Sequence, residues 1–132
     1  MKSRTKDGIR LIPTEEEEQT YILNWAEVCM GMYPELELMY HVPNEGKRTK
    51  REGARLRRLG LRRGVSDICL PVARGGYHGL YIELKALDGK PTTEQQEFIT
   101  AVCEQGYCGR VCYGGDAAVN LIIEYLNLKP KE

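Results

Sequence analysis

The strongest constraint in this sequence is a pair of apolar runs joined by a glycine-rich turn, the second of which carries two charges on one side. Ser66 to Val72 and Leu80 to Leu87 read as strands, and Arg74-Gly75-Gly76-Tyr77-His78-Gly79 reads as the hairpin connection between them. Strand side chains alternate, so Glu83 and Lys85 project from one face while Ile82 and Leu84 enter the core from the other. Charges on an otherwise apolar strand are costly unless they are paired or bound to an ion. Asp67 opens the partner strand, which lets both carboxylates converge at one end of the sheet. One reading is a structural ion pair, Glu83–Lys85 or Asp67–Lys85. The other is a metal centre: two hard oxygens with space for water suit Mg²⁺ or Mn²⁺. Lys85 beside them can orient or help deprotonate a water, or stabilise charge on a phosphate.

The remaining elements can be placed around this hairpin. Pro13-Thr14 followed by Glu15 to Glu18 is a helix start, with Thr14 as cap and the acids where the macrodipole favours them. Ile22, Trp25, Ala26 and Cys29 mark one face of that helix, which fades near Gly31 to Pro34. Leu36 to Val42 alternates as a strand, ended by the turn cluster Pro43-Asn44-Glu45-Gly46. Glu52 to Leu59 has helical spacing with Leu56 and Leu59 inward and Gly60 as C-terminal cap. After the hairpin, Asp88-Gly89-Lys90-Pro91 turns into Thr92 or Thr93, which caps a helix to about Gln105. Gly109 to Tyr113 is a short strand and Gly114-Gly115-Asp116 opens a last helix to about Leu126. The order predicts an α/β fold, a mixed central sheet flanked by helices, as a single domain over 1–132 with a loose arm at 1–12.

Charge supplies the next constraint. The chain is formally neutral, yet nine basic residues (Lys47, Arg48, Lys50, Arg51, Arg55, Arg57, Arg58, Arg62 and Arg63) and one acid, Glu52, lie between Lys47 and Arg63. That stretch carries +8 and the remainder −8. Either it meets a polyanion or it is a solvated basic helix. Composition that is 42% apolar and 29% charged excludes the disordered and membrane classes, and no apolar run approaches the roughly 18 residues of a spanning helix. The polar N-terminus is no secretory signal, so a cytoplasmic protein is expected, with its five cysteines reduced. Cys103, Cys108 and Cys112 with His78 match no zinc spacing.

The pattern Asp67, fifteen residues, then Glu83-Leu84-Lys85 resembles the PD-(D/E)xK nucleases. The surrounding residues are similar to the VRR-NUC family (virus-type replication–repair nucleases), in its small stand-alone form found in phages and prophages. The resemblance runs from Thr14-Glu15-x-x-x-Gln19 through His41-Val42-Pro43-Asn44-Glu45-Gly46 and Gly64-Val65-Ser66-Asp67. It continues through Gly75-Gly76-Tyr77-His78-Gly79-Leu80-Tyr81-Ile82-Glu83-Leu84-Lys85, Thr92-Thr93-Glu94-Gln95 and Gln105-Gly106-Tyr107. The family has proline before the aspartate where this chain has Ser66, a change at a position that supplies no ligand.

The resemblance implies a restriction-endonuclease-like core, with Asp67 and Glu83 as metal ligands and the Leu84 carbonyl as a further oxygen. Lys85 is the implied catalytic lysine, and Gln95 positions water, lysine or phosphate. A first-helix carboxylate joins the metal site; Glu15 fits the family pattern, and Glu18, one turn on over the same face, is the alternative. For both, complementation of the helix dipole is the plainer reading. His41 and His78 read as structural, and Asn44 as a turn former that can approach a phosphate. The implied activity is Mg²⁺- or Mn²⁺-dependent hydrolysis of DNA phosphodiesters, structure-selective on branched DNA such as four-way junctions, by a homodimer without organic cofactor. The basic residues 47–63 would then clamp the backbone without reading sequence. A non-catalytic nucleic-acid-binding module on the same fold, and a sequence-specific restriction-type enzyme, are the competing readings.

Overall fold

The computed structural model describes residues 11–43 and 49–132. Asn44, Lys47, Arg48 and most of the expected N-terminal arm therefore lie outside the described residues. Helix α1 (Glu15–Cys29) starts at a capping box. The Glu17 N–H donates to Thr14 Oγ1 at 3.1 Å, and the Thr14 N–H donates to Glu17 Oε1 at 3.0 Å. The same device opens α3 (Thr93–Glu104), where Thr92 and Gln95 are the reciprocal pair. Strands β1 (Tyr40–His41), β2 (Ile68–Leu70), β3 (Leu80–Lys85) and β4 (Cys108–Tyr113) form one sheet in the order β1-β2-β3-β4. The first two pairings are antiparallel; β3 and β4 are parallel, joined by α3 as the crossover.

Helices cover both faces, as expected of a mixed α/β fold. On one face, Leu80, Ile82 and Leu84 pack with Ile22 and Ala26 of α1 and with Ala118, Ile122, Tyr125 and Leu126 of α4 (Gly115–Leu126) in a continuous core. The Tyr125 hydroxyl inside this core donates to the Val72 carbonyl at 2.7 Å, so the buried polar atom is satisfied. On the other face α3 lies over β3 and β4, with Phe98 against Tyr81 and Gly109 against Ile99, Val102 and Cys103.

Two expectations are corrected. Leu36 to Val42 is not a strand throughout: Pro34–Leu38 is a 3₁₀ turn, and only Tyr40 and His41 pair with β2. Pro34 presets the helical φ at the start of that turn, and Leu36 is buried while Leu38 is 56% exposed, so the apparent alternation does not describe a sheet face. Helix α2 runs over Lys50–Arg58, capped by Thr49, and Leu59 does not point inward but is 71% exposed. The chain closes there in a Schellman motif, with the Leu61 N–H on the Leu56 carbonyl at 2.9 Å and the Gly60 N–H on the Arg57 carbonyl at 3.1 Å. Gly60 adopts φ 110° at that point, the cap foreseen from its position.

Candidate active site

Asp67 immediately precedes β2, Glu83 and Lys85 occupy β3, and Glu15 is the first residue of α1. These elements bring the sequence-predicted acids and lysine together. Asp67 is held from the neighbouring strand: its Oδ2 accepts the Leu84 N–H at 2.7 Å. Its carbonyl in turn receives the Val42 N–H at 2.7 Å, with His41 Nδ1 at 3.1 Å, which gives His41 the structural place expected of it. Leu84 thus turns its side chain into the core and its amide toward Asp67.

Glu83 is only 1% exposed, and neither carboxylate oxygen has a hydrogen-bond partner among the described residues. Lys85 Nζ stands 3.7 Å from Glu83 Oε2 and equally 3.7 Å from Glu15 Oε2. Burial, reinforced by the neighbouring Asp67 carboxylate and only partly offset by Lys85, holds the Glu83 carboxyl far above the ordinary carboxylate range. Partial burial also raises Glu15, against the pull of Lys85 and with a push from Asp67. Two carboxylates therefore share one ammonium group, and the Asp67 carboxylate adds a third negative charge beside them. The alternatives at the first helix separate cleanly: Glu15 faces Lys85, whereas Glu18 Oε1 accepts the Gly115 N–H at 3.0 Å. Gly114, the N-cap of α4, has no side chain to cap with, and Glu18 serves in its place.

This donor set fits a hard divalent cation. The orphaned Glu83 oxygens beside Asp67 are the groups such an ion satisfies, and its charge opposes the burial and the Asp67 charge that push the Glu83 carboxyl up. Among the described residues no three His, Cys, Asp or Glu side chains are set to enclose an ion by themselves. An ion here would complete its shell with water or phosphate oxygens, as Mg²⁺ commonly does.

A cleft of about 420 Å³ opens on Asp67. Lys50, Arg57, Arg62 and Arg63 line it with Thr92, Glu94 and Gln95 from the start of α3. Arg51, Arg55 and Arg58 are exposed and do not line it. Gln95 reaches the cleft while its Oε1 is engaged by the Thr92 N–H at 2.8 Å, leaving the amide nitrogen as its donor end.

Two glycines shape this cleft and were not singled out from the sequence as site residues. Gly64 has φ 80°, and a Cβ there would collide with the Glu94 carbonyl oxygen, so the approach of the β2 entry to α3 requires glycine. Gly53 is buried within α2; a Cβ there would stand 3.4 Å from the Arg57 guanidinium, which folds back over it. A glycine inside a helix, four residues before an arginine, was the available signal.

The fold and site together define a mixed α/β domain of nuclease type. The sequence model of the VRR-NUC domain matches residues 13–116, and the chain belongs to that family. A solved structure described as a VRR_NUC domain protein is similar at 29% identity and a TM-score of 0.76, covering 91% of this chain and 93% of its own. No curated protein matches the chain. Among the described residues no helix is long and apolar enough to cross a membrane.

Proposed function

We propose that this chain is a divalent-metal-dependent deoxyribonuclease, acting as a homodimer on branched DNA such as four-way junctions in the cytoplasm of a bacterium carrying it on a phage or prophage. The observation that carries the catalytic reading is Glu83, a buried carboxylate without a hydrogen-bond partner among the described residues, set beside Asp67 and Lys85 in a nuclease-fold domain. A domain that only bound nucleic acid would gain nothing from so costly a group.

Asp67 and Glu83, with the Leu84 carbonyl, would hold Mg²⁺ or Mn²⁺, and Glu15 would turn from Lys85 to join them. When bound, such an ion supplies Lewis-acid stabilisation of a phosphate and a water acidic enough to be ionised near neutral pH. Lys85, fixed between Glu15 and Glu83, places its ammonium where it can orient that water and stabilise charge on the phosphate. Gln95 offers an amide N–H from the cleft wall. Arg57, Arg62 and Arg63 draw the DNA backbone into the cleft without reading bases. The branched substrate and the dimer rest on the family resemblance.

The test is cleavage of duplex, flap, fork and four-way-junction DNAs with Mg²⁺ or Mn²⁺ and with chelator. Metal-dependent cutting concentrated on the branched substrates is expected. Binding without cutting under every metal would establish the non-catalytic module instead.

A further inference from the structure

Next to the carboxylates, on the same face of the sheet, lies a row of aromatic side chains. Tyr40 pairs with Cys69, and Cys69 pairs with Tyr81. Asp67 lies two residues before Cys69 and Glu83 two residues after Tyr81, so the side-chain period of two places both rows on one face. At roughly 3.3 Å per strand residue, the rows are about 7 Å apart. The basic cleft, which includes Val42 and Val65, opens from the opposite side of the carboxylates. Along the strands the order is therefore aromatic row, carboxylates, basic cleft.

The Tyr81 end of the row is held by other rings. Tyr81 meets the edges of Phe98 and Tyr107 at centroid separations of 5.4 Å and 5.3 Å, with interplanar angles of 85° and 62°. Cys69, which is buried, lies between Tyr40 and Tyr81 in the ladder. Tyr40, on the edge strand, is 52% exposed. A strand that runs from the cleft past Asp67 along the direction of β2 next meets this row about 7 Å on, the spacing of one nucleotide.

We propose that Tyr40 is a stacking platform for the base of the nucleotide next to the scissile phosphate, held in the ladder beside Cys69 and Tyr81. This rests on the DNA-nuclease reading and deepens it. A base offers its face to a side chain only when unstacked from its neighbours, so the platform selects DNA that is unpaired beside the cleavage point. Every base has such a face, so the selection is for structure and tolerates any sequence.

The test places 2-aminopurine at successive positions around the branch of a forked DNA and follows its fluorescence on binding to the Glu83→Gln protein. Quenching at one position near the branch is expected. Adding Tyr40→Leu should abolish that quenching and weaken fork binding about 5- to 150-fold, the loss of one stacked base. Tyr40→Trp should keep both, and binding to unbranched duplex should not change with either substitution. Thermal melting checks that each variant folds. Tight fork binding without quenching at any position, or with quenching that survives Tyr40→Leu, overturns the platform. Failure of the protein to bind any DNA, with Tyr40 intact, overturns the underlying DNA reading and the platform with it.

Discussion

The Asp67 carboxylate accepts the Leu84 amide of the adjoining strand at 2.7 Å, and this bond fixes Asp67 between the two residues, Glu83 and Lys85, that flank Leu84. A β-ladder ordinarily spends its amides on carbonyls. Here one is given to a side chain at the β2 entry, so the register of β2 against β3 and the placement of the acid are a single arrangement.

Asparagine can keep that bond and alanine cannot. Asp67→Asn should fold with near wild-type stability, lose cleavage and lose stabilisation by Mg²⁺. Asp67→Ala should in addition cost about 1–3 kcal/mol, because it strands a buried N–H. Denaturant unfolding of the two variants beside a cleavage assay decides this. Wild-type cutting by Asp67→Asn would remove Asp67 from the metal site.

Glu83 separates metal binding from folding. Its carboxylate is buried without a hydrogen bond among the described residues, and Lys85, which faces it at 3.7 Å, keeps Glu15 as a partner, so replacing Glu83 by a neutral isostere relieves a desolvated acid. In chelator, Glu83→Gln should melt at or above the wild-type temperature. At Mg²⁺ a hundredfold over its dissociation constant, the wild type should gain about 2.7 kcal/mol and the variant nothing comparable. Equal metal stabilisation of both proteins would refute the assignment.

Lys85 sets its ammonium against both Glu15 and Glu83, at the same distance from each. Lys85→Ala should lower cleavage by about 10²–10⁴ while leaving Mg²⁺ binding measurable by calorimetry. Loss of metal binding, or full activity, would identify Lys85 as the structural half of an ion pair.

Much of this site was legible because its chemistry is local. Thr14 caps its helix as read, Thr92 proves to be the cap where Thr92 and Thr93 were both candidates, and Glu83-Leu84-Lys85 declares one polar face by alternation alone. What was illegible depends on distant partners. Glu15 and Glu18 share a face one turn apart, and only the packing of α1 against β3 and α4 sends one to Lys85 and the other to Gly115. The same limit hid the true places of Leu36 and Leu59. Alternation around Leu36 matched a strand until Pro34 set a 3₁₀ turn, and a helical period through Leu59 could not show that the helix had already closed. Gly64 carried a motif position but not its reason, which lies in the Glu94 carbonyl thirty residues away.

That close approach can be tested by substitution. Gly64→Ala adds a Cβ against backbone, where nothing flexible can yield, at φ 80°. Gly76→Ala shares the positive φ, at 87°, but meets open space, so it carries the conformational cost alone, about 1–2 kcal/mol. Gly64→Ala should destabilise by more than Gly76→Ala and should depress cleavage, because α3 and Gln95 must retreat from the cleft. Similar unfolding free energies for the two variants would show that the Gly64–Glu94 approach does not constrain the site.

The basic stretch makes the last prediction, and the structure divides its residues. Arg57, Arg62 and Arg63 line the cleft that opens on Asp67, while the exposed Arg55 and Arg58 do not. If the cleft holds the DNA backbone, neutralising the first three should weaken binding to all DNAs alike. It should also flatten the dependence of log affinity on log salt by about 0.9 for each duplex phosphate that the protein no longer neutralises. Neutralising Arg55 and Arg58 removes two charges from the same basic stretch and should change the slope less per charge, because those groups lie outside the cleft. Metal affinity should scarcely move in either case, since Asp67 and Glu83 come from the β2 entry and β3. An unchanged slope in the folded Arg57, Arg62 and Arg63 variant would show that the +8 stretch is a solvated face, and would move the DNA path off α2.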